Sequence, residues 1–198
     1  MSNDYLSSIY STREWFESLA WQHRWIEFMT GWWCGEFGHP LDVIDLGCGD
    51  GWWCKAFHDA GTPTTTGIEL YETAQEFIPN CVQTVIHDLR EPLHLYRKAD
   101  MVLCLEVAEH LNHRDADMLL QNAVLHASNT ILFTAAGPGQ DGMGHINLQT
   151  QDYWRKKFEE RGVKFSPMYT GKVRDAFKKI VNEYYAFIHR NIMVFKVV

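Results

Sequence analysis

Long apolar stretches are absent from the sequence. No uninterrupted apolar run reaches about 18 residues, the length that a membrane-spanning helix needs, and no basic N-terminal region precedes an apolar segment. Tandem repeats and low-complexity tracts are absent as well. We therefore expect a globular chain that is neither exported by a signal peptide nor inserted in a membrane.

Basic residues are fewer than acidic residues. The chain has 18 Lys and Arg against 25 Asp and Glu, a formal net charge of -7. Proteins that bind the phosphate backbone of nucleic acids normally carry a stripe of basic residues on their surface. Mixed-charge segments such as RKKFEERGVKF are more typical of solvated helix faces. The composition therefore argues against nucleic acid as a partner.

Closely spaced cysteine pairs are also absent. The five cysteines are odd in number and none forms a C-x-x-C spacing, which favours reduced thiols and a cytoplasmic location. The group formed by Cys48, Cys54 and His58 matches no familiar zinc-ligand spacing. No metal site is predicted.

The length bounds the domain organisation. A chain of 198 residues, 46% of them hydrophobic, supports one core comfortably, and a second core would be small. We predict a single domain over residues 1–198, in which residues 1–38 form a helical cap and residues 39–198 form the core.

Strand-like and helix-like patterns alternate along the chain. Short runs rich in Val, Ile, Leu and Thr predict strands, namely LDVIDL, TTTGIEL, TVIHDL, ADMVLCLEV and NTILFTAA. Helical spacing is found at residues 12–33, 52–60, 72–78, 114–127 and 150–161, and Ser11 with Glu14 has the form of a capping box. After Gly162, VKFSPMY predicts a strand, KVRDAFKKIVNEYYAFIHR a helix and NIMVFKVV a last strand. This alternation indicates a parallel sheet covered by helices on both faces.

A glycine-rich turn follows the first predicted strand, in VIDLGCGDGWWC. Gly47 and Gly49 allow the backbone to bend tightly and to approach a ligand, because they carry no Cβ. In an open α/β sheet this first strand-to-helix turn usually contacts a nucleotide. The dinucleotide fingerprint G-x-G-x-x-G would require glycine where the chain has Trp52, which disfavours a nicotinamide-dependent dehydrogenase.

Four motifs in order support a family resemblance over about residues 40 to 150. The D-x-G-x-G-x-G pattern that begins at Asp45 resembles the first motif of the class I S-adenosylmethionine-dependent methyltransferases, and Glu69 ends the next strand. Asp88 ends the third strand, and the fourth runs into EVAEHL, a segment familiar from small-molecule members. The resemblance implies a seven-stranded, mostly parallel Rossmann-like sheet with helices on both faces, an antiparallel last strand and an N-terminal helical cap.

The same resemblance implies a cofactor and the residues that bind it. The cofactor is S-adenosyl-L-methionine, which methyl transfer converts to S-adenosyl-L-homocysteine. Glu69 is expected to accept hydrogen bonds from the ribose, Asp88 and Leu89 to lie at the adenine, and Glu106 at the methionine portion. The full set of expected cofactor-binding residues is Asp45, Gly47, Cys48, Gly49, Gly51, Glu69, Leu70, Asp88, Leu89 and Glu106.

Two histidines are candidates for residues that contact the methyl acceptor. His145 lies in a long glycine-rich loop that resembles the GHxN loop of some of these methyltransferases, and such loops are more often functional than idle. It is the first candidate for a general base or for orienting the acceptor, since histidine titrates near neutral pH. The alternative is that His145 pins the loop to backbone, helped by Asn147. His110 is the second candidate, with packing or capping of a helix start as its alternative.

The sequence excludes some classes of methyl acceptor and leaves others open. The D/N-P-P-Y/W signature of amine-directed enzymes is absent after the fourth strand, and no Pro-Cys pair is present, so DNA bases are not expected. We expect methylation of oxygen or nitrogen on a small molecule or on an exposed glycan or peptide group. A catalytically inactive S-adenosylmethionine-binding module or regulatory subunit is the alternative. The oligomeric state stays open.

Overall fold

The computed structural model describes residues 8–180 and 186–198. Its α-helices are α1 (Arg13–Ser18), α2 (His23–Phe37), α3 (Trp52–Asp59), α4 (His113–His126), α5 (Gln151–Glu159), α6 (Pro167–Lys178) and α7 (Ala186–Asn191). Its strands are β1 (Asp42–Leu46), β2 (Thr64–Glu69), β3 (Gln83–Ile86), β4 (Ala99–Leu105), β5 (Ala127–Thr134), β6 (Val163–Phe165) and β7 (Met193–Val197). Short 3₁₀ helices span Leu19–Gln22, Glu72–Glu76 and Ala108–His110. None of the helices in these ranges combines the length and apolar character needed to cross a membrane.

The strands form one seven-stranded sheet in the order β3-β2-β1-β4-β5-β7-β6. Strand β2 runs parallel to β1 and β3, and β4 runs parallel to β5. Strand β7 is antiparallel to both β5 and β6. The predicted fold, a mostly parallel Rossmann-like sheet with an antiparallel last strand, is confirmed.

The chain divides into two compact units, Met1–Asp88 and Leu89–Val198. In the first unit, α3 contacts β1 and β2, and its buried face presents Cys54 and Phe57. In the second unit, α5 packs on β6 and β7 through Phe158, whose ring centroid lies 4.3 Å from that of Phe195. The predicted organisation as one domain, with a cap over residues 1–38 and a core over 39–198, stays a prediction.

Three regions of the chain differ from their predicted structure. Helix α1 is capped by Thr12, whose side chain accepts a hydrogen bond from the Trp15 backbone N–H, so the prediction of Ser11 as the cap is wrong. The segment predicted as a helix at 72–78 is a 3₁₀ helix over Glu72–Glu76.

The third difference concerns the predicted strand VKFSPMY and the helix after it. Strand β6 ends at Phe165, and α6 begins at Pro167 because Ser166 caps it by accepting a hydrogen bond from the Tyr169 backbone N–H. Proline is well suited to this first helical position, since its missing N–H would have no partner there. Residues 181–185 of the predicted helix lie outside the described residues.

A glycine inside β2 determines how closely the glycine turn approaches the strand. A Cβ on Gly67 would lie 2.5 Å from Cys48 Sγ, a distance that real Cβ atoms do not adopt. The backbone N–H groups of Gly47 and Cys48 both donate to the Ile68 carbonyl, at 2.9 and 3.0 Å. The turn therefore lies flat against the end of β2 because Gly67 leaves room for the Cys48 thiol.

Substitution Gly67→Ala is expected to lower the free energy of unfolding by about 1–3 kcal/mol, the typical cost of overpacking a core. The double variant Gly67→Ala/Cys48→Ala should regain part of this loss, because the clashing sulfur is gone. Urea unfolding measures both. The control is Gly171→Ala in α6, where a Cβ meets nothing within 4 Å; it should be neutral or stabilise by up to about 1 kcal/mol. A Gly67→Ala variant as stable as the wild type would contradict the packing argument.

Candidate functional site

The predicted glycine turn is present in the first unit. Gly47, Gly49 and Gly51 have φ values of 78, 56 and 72°, in the left-handed region that side chains other than glycine rarely adopt. Gly51 also forms the N-cap of α3, and its N–H donates to the Cys48 carbonyl at 2.9 Å. All three glycines are therefore required by backbone conformation.

Protein side chains lie against two of these glycines. A Cβ on Gly51 would come within 2.9 Å of Ile78 Cγ2, and one on Gly49 within 3.0 Å of Leu19 Cδ1. The third glycine of the motif therefore accommodates packing by Ile78. Leu19 belongs to the 3₁₀ helix Leu19–Gln22, so the N-terminal helical segment contacts the turn at Gly49.

The carboxylate of Glu69 is fixed at the end of β2. Its Oε2 accepts a hydrogen bond from the Gly49 backbone N–H at 3.0 Å, and its Oε1 accepts one from the Leu70 backbone N–H at 2.7 Å. Burial raises the pKa of Glu69, and these backbone donors partly offset that effect because they stabilise the charged form. The side chain of Leu70 remains 38% exposed. Glu69 is thus held in one orientation.

A second carboxyl group is buried beside the turn. Asp45 in β1 is buried, and its pKa is raised from 3.8 to about 7, first by burial and then by repulsion from Glu69 and Asp50. The thiol of Cys48 is buried as well, and burial raises its pKa well above the ordinary value. The surroundings of the turn therefore favour neutral groups or an added positive charge.

A third carboxyl group joins the turn to α2. Asp50 Oδ2 lies 2.6 Å from His23 Nε2, and Asp50 Oδ1 accepts a hydrogen bond from the Trp52 backbone N–H at 3.2 Å. The rings of His23 and Trp52 stack with centroids 3.6 Å apart. Trp53 contacts Trp25 edge to face at 5.6 Å. The two tryptophans after the glycines therefore pack α3 against α2.

The two residues expected at the adenine lie in separate units. Asp88 follows β3 by two residues and is half-buried at the end of the first unit. The preceding residue, His87, extends the strand pairing by donating its N–H to the Glu69 carbonyl at 2.9 Å. Leu89 begins the second unit, where its side chain is buried and its carbonyl accepts a hydrogen bond from Asn122. Their predicted contact with the adenine stays a prediction.

In the second unit, a strained residue ends β4. Glu106 has a φ of 55°, in the left-handed region, and its N–H donates to Thr134 Oγ1 at 2.9 Å. Its Oε1 is buried and has no hydrogen-bond partner among the described residues. Strained backbone of this kind is concentrated at functional sites.

Among the described acidic residues of the second unit, Glu109 is the most deeply buried, with 0% of its surface exposed. Its Oε1 accepts a hydrogen bond from the Ala136 backbone N–H at 3.1 Å, whereas its Oε2 has no partner among the described residues. Burial, and next to it the charge of Glu106, raise the pKa of Glu109 well above its usual range. Its backbone carbonyl accepts hydrogen bonds from the N–H groups of Ile146 and Asn147, which anchors the loop that carries His145.

The two predicted acceptor-side histidines lie together. The ring centroids of His110 and His145 are 5.0 Å apart. His145 Nδ1 is 2.8 Å from the Gln140 carbonyl, and His110 Nδ1 is 3.3 Å from the Gly144 carbonyl. Burial lowers the pKa of His110 to about 4, and the charge of His145 adds to the effect. The loop-pinning contact considered for His145 is therefore present, and it engages Nδ1 alone.

Asn147 has a structural role in the loop. It is buried, its Nδ2 donates to the Ala108 carbonyl at 3.4 Å, and its Oδ1 accepts a hydrogen bond from Gln149 at 3.0 Å. Sequence reasoning named Glu106 and His110 but gave no role to Glu109, which lies between them. The available signal was the E-x-x-E-H spacing, because one short helical turn, Ala108–His110, brings the second Glu and the His to one place.

The sequence matches a family model described as a methyltransferase domain over residues 18–165. This match covers well over half of the chain, so the chain belongs to that family. The predicted class, the S-adenosylmethionine-dependent class I methyltransferases, is confirmed. No curated protein matches the sequence.

Solved structures share the fold at low identity. A magnesium protoporphyrin IX methyltransferase from Synechocystis PCC 6803 with bound S-adenosylmethionine is 17% identical, with a TM-score of 0.65 over 98% of this chain and 90% of that chain. An amino pentose methyltransferase from Micromonospora echinaspora is 12% identical, with a TM-score of 0.61 over 100% of this chain and 98% of that chain. A [4+2]-cyclase is 8% identical, with a TM-score of 0.56 over 86% and 80%. These similarities establish the fold.

The raised pKa of Asp45 predicts a pH-dependent stability that Asp45→Asn removes. Between about pH 4 and pH 7 the folded state keeps a proton on Asp45 that the unfolded state has lost, so the wild type loses stability as pH rises through this window. The difference in unfolding free energy between Asp45→Asn and the wild type should therefore grow by on the order of a few kcal/mol from pH 4 to pH 8.

Urea unfolding across this pH range measures the difference. The control is Asp175→Asn, which alters a carboxyl whose side chain is 73% exposed; its difference from the wild type should stay nearly constant. A constant difference for Asp45→Asn would show that Asp45 is ionised in the folded protein throughout.

Proposed function

We propose that this chain transfers a methyl group from S-adenosyl-L-methionine to an oxygen or nitrogen of a small molecule or of an exposed glycan or peptide group. The observation that carries the proposal is Glu69, a carboxylate held by the backbone N–H groups of Gly49 and Leu70 directly beside the glycine turn. A fixed carboxylate at the end of the second strand is suited to accept hydrogen bonds from two ribose hydroxyls.

The charge around the turn supports a cationic ligand. Asp45, Asp50 and Glu69 all lie in this part of the first unit, and their mutual repulsion contributes to the raised pKa of Asp45. A sulfonium relieves such repulsion, whereas a dinucleotide pyrophosphate adds to it. Trp52 also stands where a dinucleotide site would need glycine. The charges and the motif therefore favour the same cofactor.

S-adenosyl-L-methionine, when bound, supplies an electrophilic methyl group and leaves as S-adenosyl-L-homocysteine. The proposed cofactor-binding residues are those named from the sequence, with Asp45, the glycine turn and Glu69 as the best supported. The task left to the protein is to hold the acceptor in line with the methyl group, exclude water and receive a proton where the acceptor is a hydroxyl.

His145 and His110 are the proposed acceptor-side residues. A carbonyl oxygen accepts only, so the contacts with Gln140 and Gly144 place the ring proton of each histidine on Nδ1. The lone pair of each ring then lies on Nε2, the state that a general base requires. We propose His145 as the first of the two, because it lies on a loop anchored by Glu109.

The cellular setting is proposed from the thiols. None of the five cysteines forms a disulfide in the part of the chain that the structure describes, and four of them are buried. Reduced thiols are typical of the cytoplasm. Two of the three solved structures named above are methyltransferases of a porphyrin and of an amino sugar, which supports a small molecule as acceptor.

Substitution Glu69→Gln is expected to weaken S-adenosylmethionine binding at least about tenfold, because charge-assisted hydrogen bonds to the ribose are lost. Calorimetry with the cofactor and with S-adenosylhomocysteine measures the change. The matched control is Glu72→Gln, an exposed residue three positions on, which should bind as the wild type does. Equal binding by Glu69→Gln, or tight binding of NADH by the wild type, would contradict the proposed cofactor site.

Substitution His145→Ala is expected to lower turnover by about 10²–10⁴-fold, the usual contribution of a general base, while cofactor affinity stays within a factor of two. The assay presents a panel of phenols, sugars and amines and detects the added methyl group by mass spectrometry. The control is His113→Ala, an exposed histidine that contacts Tyr153. Full activity of His145→Ala would rule out its role, and cofactor binding without turnover on any acceptor would favour the inactive binding module.

A further inference from the structure

Three side chains of the second unit converge on one point. One carboxylate oxygen of Glu109 and one ring nitrogen from each of His110 and His145 all lie within 4.8 Å of one another. Glu109 and His110 come from the turn after β4, and His145 comes from the loop after β5. The two segments are tied together, because the Glu109 carbonyl accepts hydrogen bonds from the two residues that follow His145. The convergence is therefore built into the local fold.

A buried carboxyl group lacks a donor from the backbone or from a basic side chain on one of its oxygens. Glu109 is fully buried, its Oε2 receives no such hydrogen bond among the described residues, and the group interacts instead with the carboxyl group of Glu106, which raises its pKa. An unpaired buried carboxylate is costly, and buried charges are normally paired or coordinate metals. No Lys or Arg is among the described residues that hydrogen-bond to Glu109. The fold therefore places an oxygen with free lone pairs next to two imidazoles.

Both imidazoles are held in the tautomer that is typical of metal ligands. Histidine ligands to metals almost always donate their other ring N–H to a carbonyl or carboxylate, which fixes the tautomer. His145 meets this description through the Gln140 carbonyl at 2.8 Å, and His110 through the Gly144 carbonyl at 3.3 Å. These contacts orient the two rings and place the ring proton of each on Nδ1.

We propose that Glu109, His110 and His145 form a binding site for a divalent transition-metal ion. Two imidazoles and one carboxylate suit Zn²⁺, Mn²⁺, Fe²⁺ or Co²⁺, whereas Mg²⁺ and Ca²⁺ prefer oxygen ligands alone. The carboxyl group of Glu106, which interacts with that of Glu109, lies outside this group of three. The sequence predicted no metal site because the cysteines lack zinc-ligand spacing. This proposal, which involves no cysteine, replaces that prediction.

A metal at this site would activate the methyl acceptor. This role of the metal rests on the proposed function as a methyltransferase. Three protein ligands leave coordination positions open, as in catalytic zinc sites. An oxygen of the acceptor binds there, and the metal lowers the pKa of a bound hydroxyl so that its proton passes to solvent water. The proposal therefore favours alcohols or phenols over amines. His145 acts as a ligand in this scheme, and no protein side chain needs to act as the base, because the proton of the metal-bound hydroxyl passes to solvent water.

Metal binding is tested on the full chain without cofactor or acceptor. The protein is freed of metal with a chelator and titrated with Co²⁺, and its visible absorption is followed; Zn²⁺ is then added in competition. The wild type should bind one Co²⁺ per chain without a thiolate-to-cobalt charge-transfer band, because no cysteine is a ligand. Glu109→Gln and His145→Ala should each weaken binding at least about tenfold.

The control is His113→Ala, an exposed histidine of the same unit, which should bind Co²⁺ as the wild type does. Circular dichroism checks that each variant is folded, and His145→Ala tests the site independently should Glu109→Gln fail to fold. Absence of stoichiometric binding by the wild type, or unchanged affinity in His145→Ala, would overturn the proposal. Cofactor binding is measured separately by calorimetry, so loss of the metal site and loss of the proposed function give different results.

Discussion

The arrangement of the proposed cofactor-binding residues depends on the contact between the Glu69 carboxylate and the backbone N–H of Gly49. This contact joins the end of β2 to the glycine turn at 3.0 Å and fixes the direction of both carboxylate oxygens together with Leu70. The contact requires the turn to lie flat on β2, which in turn requires Gly67 to leave space for the Cys48 sulfur. A buried carboxylate with only backbone donors keeps its capacity to accept further hydrogen bonds, which is what binding a ribose demands.

Carboxyl groups are concentrated in both units, and this constrains the ligands. In the first unit Asp45, Asp50 and Glu69 surround the turn, and in the second Glu106 and Glu109 repel each other. Each group is stabilised only in part by protein donors, so each position favours a cation. The proposed sulfonium and the proposed divalent metal would each meet this requirement by the same electrostatic reasoning. Fold alone does not decide the chemistry, because the same architecture occurs in a [4+2]-cyclase.

Apolar periodicity and glycine spacing, which are local signals, predicted the parallel strands and the position of the turn, whereas the antiparallel last strand was implied only by the family resemblance. The sequence did not predict that Gly51 accommodates Ile78, or that Asp50 pairs with His23, since those contacts join segments 27 residues apart. Helix starts were displaced where two capping residues competed, as with Ser11 and Thr12. The grouping of Glu109 with His145 depends on a loop returning to the turn after β4, which no spacing along the chain reveals.

A crystal structure of the chain with S-adenosylhomocysteine tests the central claim most directly. The account predicts that the two ribose hydroxyls donate to the Glu69 carboxylate and that the homocysteine portion lies over Gly47 and Gly49, with Leu19 moved off the turn. A nucleoside bound away from Glu69, or a complex in which Leu19 still covers Gly49 and Glu69 contacts backbone only, would contradict it.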